Sequence, residues 1–298
     1  LLILPLLVYL IGSGMGEAAA AFNQGFDAGL DLDALTAGVT PWLIGAASAI
    51  GLFVCVLLHE LGHAAVARHY GYGIESITLW LLGGVARPED QPSRWHHEFW
   101  IAIGGPVVSV ALGSVFFVGF DTLSGDPLRF VLGYLALLNI ILAGFNMIPA
   151  FPLDGGRVLR ALLGRTRTHV EATQLAVRVG KLFAIVFGLF GLFVFNPFLI
   201  AVAFFVYMAA GAEGRQTTLR AAFEGVAVGD VMTPAADVRT LSPETTLDTV
   251  LERMFSERHT GYPVVDSGRL DGVVTLDDVR DGLGLDVPLI RERLADRA

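Results

Sequence analysis

Apolar and polar positions are segregated along this chain into long blocks. Residues 34–58, 99–120 and 130–153 contain no Asp, Glu, Lys or Arg, and residues 182–212 form a fourth charge-free run of 31, interrupted at Asn196-Pro197. A bilayer core takes about 20 apolar residues per helix. The fourth run therefore reads as a hairpin of two helices turning at Asn196-Pro197. Its first helix borrows residues before Lys181, whose long stem can snorkel. Leu1–Ile11 reads as the tail of another span. The pattern predicts an α-helical polytopic membrane protein of about six transmembrane helices, near 1–12, 41–68, 97–120, 128–148, 174–195 and 197–213. Between Gly73 and Arg87 the chain is β-rich and too short to span. That stretch is expected to be a short membrane-associated strand or hairpin, turning at Gly83-Gly84.

After residue 220 the periodicity changes. Ser242–Thr246 starts a helix to about Glu257, Gly261–Asp266 and Leu270–Thr275 read as strands around a Ser267-Gly268 turn, and Asp277-Asp278 opens another helix. Two domains are expected, a six-span body over 1–220 and a small α/β domain over 221–298.

Composition agrees. The chain is 54% hydrophobic and 16% charged, against about 25% charged for a soluble domain. This excludes a disordered chain and argues against an ordinary soluble enzyme. The net charge of −9 divides unevenly: residues 1–220 hold 12 basic and 14 acidic groups, net −2, and residues 221–298 hold 8 and 15, net −7. The acidic balance argues against nucleic acid as a partner. Basic residues favour cytoplasmic loops. They are absent from residues 13–40 and from the Asn196-Pro197 turn, and cluster at Arg157–Lys181 and Arg215–Arg220. This places the tail domain in the cytoplasm and the His59 end of the second span near the cytoplasmic face. The single Cys55 sits in an apolar run, where a buried, inert thiol is expected.

The chemistry lies in the polar exceptions. His59-Glu60-Leu61-Gly62-His63 is an H-E-x-x-H pattern following directly on an apolar span. Residues four apart share a helix face, so two imidazoles can chelate Zn²⁺ while Glu60 acts as general base. A charge at mid-bilayer costs about 2.5–3.5 kcal/mol by insertion scales, so such groups are seldom idle. The plain alternative is a helix end solvated among head groups. A catalytic zinc site needs a third protein ligand. Asp154 is the candidate, in Phe145-Asn146-Met147-Ile148-Pro149-Ala150-Phe151-Pro152-Leu153-Asp154-Gly155-Gly156-Arg157. Pro149 and Pro152 break the helix there, and non-helical backbone at membrane depth must line a cavity or be buried by protein. The alternative role for Asp154 is to cap the following helix.

These two motifs, in this order and in these spans, resemble the site-2 protease family of intramembrane zinc metalloproteases, and its prokaryotic branch with a C-terminal CBS region in particular. Gly104-Gly105-Pro106 is also similar to the family pattern. The resemblance implies that His59, His63 and Asp154 hold zinc and that Glu60 is the general base. It implies that Asn146 holds substrate or stabilises the oxyanion. Asn146 has an alternative, an amide pairing with carbonyls freed at Pro149. Asn139 is expected to be interhelical glue, and His69, His96, His97 and His169 are not expected to be ligands. Some family members carry proline where Phe151 stands. The implied reaction is hydrolysis of peptide bonds in or near transmembrane segments of membrane-anchored regulatory proteins. The substrate helix must unwind, and an edge near Leu79–Val85 could hold it by strand addition.

The tail resembles one CBS motif, a βαββα unit. By that resemblance Thr275 and Asp278 inherit contacts to the ribose of an adenine nucleotide; the alternative, which the residues favour, is helix capping. CBS motifs normally pair, and only 15 residues follow Leu283. The expectation is a homodimer through this region or a trimmed sequence, and Leu1 in place of Met suggests trimming. The overall expectation is a multi-pass enzyme of the cell membrane, partnered by lipid and a transmembrane protein substrate. A CBS-regulated transporter or channel, or a silent membrane adaptor, shares the layout but does not require the two motifs.

Overall fold

The computed structural model describes residues 3–80, 83–88, 92 and 94–283. The chain divides into two compact units, 1–224 and 225–298.

The first unit is helical. Its elements are α1 (Ile3–Ser13), α2 (Met15–Phe26), α3 (Leu32–Thr36), α4 (Thr40–His69), β1 (Ile74–Trp80), β2 (Gly83–Pro88), α5 (Trp95–Thr122), α6 (Asp126–Asn146), α7 (Asp154–Leu163), α8 (His169–Phe193) and α9 (Pro197–Phe223). Five of these (α4, α5, α6, α8 and α9) are long and apolar enough to cross a membrane, and α1 with α2, bent by 62°, makes a sixth if counted as one span. Only 28–39% of the apolar window of each long helix is buried. The outward remainder, including Leu189, Phe193, Phe198 and Phe204, is the apolar exterior that lipid solvates.

Local chemistry sets the ends of these helices. Pro41 lies in the first turn of α4, where its missing N–H costs nothing. Thr168 and Glu171 form a capping box at the start of α8. At the hairpin turn the Asn196 side chain accepts from the Leu199 amide at 3.0 Å and starts α9. Lys181 lies mid-way along α8, and its ammonium sits 4.9 Å from the ring centre of Tyr207 on α9, a cation–π contact inside the hairpin.

Residues 13–40, read from the sequence as a loop, hold α2 and α3. Met15, Ala19, Phe22 and Leu35 are buried there, and Phe22 packs on Phe120 and Phe130. The helical spacing of Met15, Ala19 and Phe22 was visible. It is too short to read as a span, and Phe22 packs it on α5 and α6. The β-rich stretch forms an antiparallel hairpin lying against α4. Trp80 pairs with Gly83 and Leu79 with Gly84. The expected turn at Gly83-Gly84 is thus corrected: both glycines lie in β2, and residues 81–82 lie outside the described residues.

The second unit has α10 (Val228–Val231), α11 (Leu247–Glu257), β3 (Gly261–Asp266), β4 (Arg269–Thr275) and α12 (Leu276–Leu283). Leu241 adds a parallel bridge to Val264, completing the strand-helix-strand-strand-helix order of a CBS motif. Ser267 and Gly268 both have positive φ, 51° and 82°, as a tight two-residue hairpin requires. Leu241, Val250, Leu251, Met254, Tyr262 and Val279 form its core.

Candidate active site

α4 and α5 cross closely because both are glycine at the contact. A Cβ on Gly62 would lie 2.6 Å from the Gly104 carbonyl oxygen, and one on Gly104 would lie 2.7 Å from that of Gly62. Small residues allow this approach where lipid offers no hydrophobic drive between helices. The crossing sets α5 against the His59 and His63 face of α4. One residue on, the backbone of Gly105 reaches the imidazoles, and a Cβ there would lie 2.6 Å from His59 Nε2 and press on His63 Nε2.

The third group arrives from the helix break. α6 ends at Asn146, and the segment through Pro149 and Pro152 turns into α7, whose first residue is Asp154. Leu153 holds the N-cap position, and no side chain caps the helix. Asp154 does not act as the cap; its carboxylate points at the histidines. The turn is packed without slack: a Cβ on Gly156 would lie 2.7 Å from the Ala150 carbonyl carbon, and one on Gly180 of α8 would lie 3.0 Å from Ala150 Cα.

His59, Glu60, His63 and Asp154 are 3%, 7%, 4% and 8% exposed. Asp154 Oδ2 stands 3.2 Å from His59 Nε2 and 3.2 Å from His63 Nε2, and the two nitrogens are 3.2 Å apart. The far nitrogens of the rings are held by α5. His63 Nδ1 lies 2.7 Å from the Ile101 carbonyl oxygen, and His59 Nδ1 lies 2.8 Å from Ser109 Oγ. A carbonyl only accepts, so His63 Nδ1 carries the hydrogen and its Nε2 presents a lone pair. Ser109 Oγ both donates and accepts, so it is compatible with the same tautomer in His59, in which Nδ1 donates to the hydroxyl and Nε2 is left with its lone pair. Three lone-pair atoms then face one point with no proton between them, an arrangement that repels itself unless a cation is shared. A tetrahedral zinc site with bonds of 2.0–2.2 Å places its ligand atoms about 3.3–3.6 Å apart. The triangle fits such an ion, and a nitrogen-nitrogen-carboxylate donor set suits zinc.

Glu60 lies beside this triangle. A ligand atom from each of His59, Glu60 and His63 falls within 4.8 Å of the others. Its carboxylate has no hydrogen-bond or ion-pair partner among the described residues. Asn146 is half-buried at the end of α6, and its amide makes no hydrogen bond among the described residues, to the Pro149 turn or elsewhere. Asn139 is fully buried, but Nδ2 donates to the Leu135 carbonyl of its own helix at 2.8 Å and Oδ1 has no partner among the described residues. Its side chain also bonds Cys55 of α4, so it ties α6 to α4, as expected of interhelical glue. Cys55 is a buried free thiol. His97 bonds the Tyr72 hydroxyl at 2.9 Å and stacks on Tyr70. Phe151, the departure from the family pattern, is buried against Ala176, Val177 and Ala210.

Ile101, Gly105 and Ser109 were not legible as site residues. They lie on an apolar helix, 38–50 residues from the histidines they touch. The Gly-Gly-Pro at 104–106 was the one available signal. Ser109 orients a ring that presents a ligand atom, and loss of such a partner costs about 10–100-fold in metal affinity. Ser109→Ala is expected to weaken zinc binding by that order without loss of helix content, measured by competition with a chromogenic chelator.

In the tail, Thr275 and Asp278 bond each other. The Thr275 amide and hydroxyl donate to Asp278 Oδ2 at 2.8 and 2.7 Å, and the Asp278 amide donates back to Thr275 Oγ1 at 3.4 Å. This is a capping box at the start of α12. The Thr275 donors hold the Asp278 carboxyl below its ordinary range. The cap is therefore intact at neutral pH and lost as acid protonates that carboxylate.

Comparison with known proteins agrees with the geometry. The family model for Peptidase family M50 matches residues 47–129 and 122–187, and that for the CBS domain matches 228–284. The zinc metalloprotease MJ0392 of Methanocaldococcus jannaschii is 40% identical over 232 residues, 76% of this chain and 66% of its own. Rip3 of Mycobacterium tuberculosis is 36% identical over 257 residues, 82% of this chain and 65% of its own. A solved structure, the site-2 protease from Methanocaldococcus jannaschii, is 44% identical and covers 57% of this chain and 78% of that one, with a TM-score of 0.49. The chain spans just under two thirds of the length of these two curated relatives. The matched segment contains His59, Glu60, His63 and Asp154, the four groups the fold brings together. This chain belongs to the site-2 protease family of membrane zinc metalloproteases, Peptidase family M50, and carries a CBS domain after its last span.

Proposed function

We propose that this chain is a zinc-dependent intramembrane endopeptidase that hydrolyses peptide bonds in or near transmembrane segments of membrane-anchored regulatory proteins. One observation carries the reading. Three atoms of metal-ligating type from two separate helices converge to 3.2 Å inside a membrane bundle, beside the buried Glu60 carboxylate, which has no partner among the described residues. His59, His63 and Asp154 would hold the ion. Zinc in such a site acidifies water to a pKa of about 7 and polarises a carbonyl oxygen. Glu60 takes the proton from the attacking water and delivers it to the leaving amine nitrogen as the C–N bond breaks. The Asn146 amide, which has no partner among the described residues, donates to the carbonyl oxygen as negative charge develops there.

The substrate must present an extended backbone, because helical hydrogen bonds shield its peptide groups. The β1–β2 hairpin lies against the helix that bears His59 and His63 and has two free edges among the described residues, a template for strand addition. The deciding experiment is incubation of a panel of single-span proteins with wild type and Glu60→Gln, in detergent or vesicles. Cleavage by wild type alone supports the reading; equal behaviour of the two overturns it.

The CBS unit is proposed to lie in the cytoplasm, from the basic loops that flank it, and to pair with a second copy. Leu270 and Val273 of β4 are both 61% exposed, an apolar sheet face of the kind that pairing covers. An adenine nucleotide is the proposed ligand at Thr275 and Asp278, where it would share their side chains with the cap. Sedimentation with and without ATP tests both points. A dimer whose association changes with ATP is expected. A strict monomer at high concentration overturns the pairing, and an ATP-independent profile overturns the nucleotide role.

A further inference from the structure

Outside the metal cluster, another charged group is buried in the helical unit. Arg160 of α7 is 8% exposed and Glu98 of α5 is 4% exposed. Arg160 Nε and Nη2 both lie 2.6 Å from Glu98 Oε1, and Nη1 donates to Glu213 Oε1 of α9 at 2.7 Å. The guanidinium also lies 5.0 Å from the centre of the Phe151 ring. Removing charges from water is costly, and apolar residues of similar size would often pack such a position at least as stably. The contacts of this group suggest another use.

Each contact leads to a different half of the metal site. Phe151 stands three residues before Asp154, in the turn whose backbone packs directly on Gly156. The turn is closed by the Leu153 amide on the Ala150 carbonyl at 2.9 Å and the Gly156 amide on Leu153 at 3.0 Å. A shift of Phe151 therefore moves Asp154. Glu98 stands one helical turn before Ile101, whose carbonyl orients His63. One rigid, planar cation is thus braced against both the aspartate-bearing turn and the helix that aims the histidines.

We propose that Arg160 is a positioning residue, which sets the aspartate half of the metal site against the histidine half through Phe151 and Glu98, with Glu213 fixing the remaining arm of the guanidinium. This rests on the metal reading above. Lysine keeps the charge but cannot bridge two carboxylates while stacking on a ring.

The test uses the full chain in detergent, with zinc affinity measured by competition and Co²⁺ added alone as a spectroscopic probe of ligand geometry. Arg160→Lys is expected to lower zinc affinity about 10-fold and to change the Co²⁺ ligand-field bands. Arg160→Met combined with Glu98→Gln and Glu213→Gln, which leaves no stranded carboxylate, is expected to lower it by up to about 100-fold. Arg129→Met is the control for a purely structural arginine, since Arg129 binds the carbonyls of Ala28 and Phe120. It should lower thermal stability and leave zinc and Co²⁺ binding unchanged. The proposal is overturned if the Arg160 variants lose stability yet bind both ions as wild type does, or if Arg129→Met weakens zinc equally. A wild-type chain that takes up neither ion overturns the metal reading, and this proposal with it.

Discussion

Glu60→Gln is expected to lower the hydrolytic rate by about 10²–10⁴-fold, the usual contribution of a general base, and to leave about one zinc bound per chain. The two halves of this result separate the roles in the cluster. Glutamine is nearly isosteric with glutamate and makes no new void, but its amide cannot accept the proton that the attacking water must lose. The atoms facing the ion belong to His59, His63 and Asp154, mutually 3.2 Å apart, and none of them bonds Glu60. Metal content by atomic emission, measured beside the single-turnover rate on a cleaved substrate, checks both. Loss of zinc in Glu60→Gln would mean that Glu60 is itself a ligand. His59→Ala should instead lose both metal and activity.

Gly105→Ala should remove zinc binding although it alters no polar atom, with an expected loss of more than about 100-fold in affinity, beyond the range for a lost outer partner. The added methyl would lie 2.6 Å from His59 Nε2 and 2.7 Å from its Cδ2, and would also overlap His63 Nε2. It would take the space that an ion shared by the two rings needs. α5 cannot retreat to make room while Gly62 and Gly104 hold the helices in backbone contact. The histidines cannot turn without losing Ser109 and the Ile101 carbonyl. Gly144→Ala in α6, where a Cβ meets nothing within 4 Å, is the matched control and should bind zinc as wild type does. Equilibrium dialysis with zinc, alongside circular dichroism to confirm equal helix content, gives the comparison. Wild-type affinity in Gly105→Ala would show that the α4–α5 crossing opens at the metal.

Much of the architecture follows from the chain alone. The charge-free runs located five long helices to within a few residues at most ends. Their periodicity and length are local properties, set by the thickness of a bilayer and the need to bond every backbone group inside it. His59 and His63 share a face because any helix places residues four apart together. Asp154 was legible because two prolines and two glycines at membrane depth demand a reason. The choice between helix cap and metal ligand was not legible, since both need a carboxylate at the same point of a helix; only the approach of α4 directs that carboxylate to the histidines. For Thr275 and Asp278 the fold shows the cap, because hydroxyl and carboxylate meet each other within one turn.

What the tertiary structure alone decided are the contacts between distant parts of the chain. Ser109 and the Ile101 carbonyl hold the two imidazole rings in place, and Gly105 makes space for the ion. Arg160, Glu98 and Glu213 meet from three helices. α2, without the length of a span, packs through Phe22 on Phe120 and Phe130. A helix can be read from the spacing of its own residues, but which of its faces meets which neighbour depends on how closely two backbones can approach. Here that distance is set by a pair of glycines, 62 and 104, which only the folded bundle brings together.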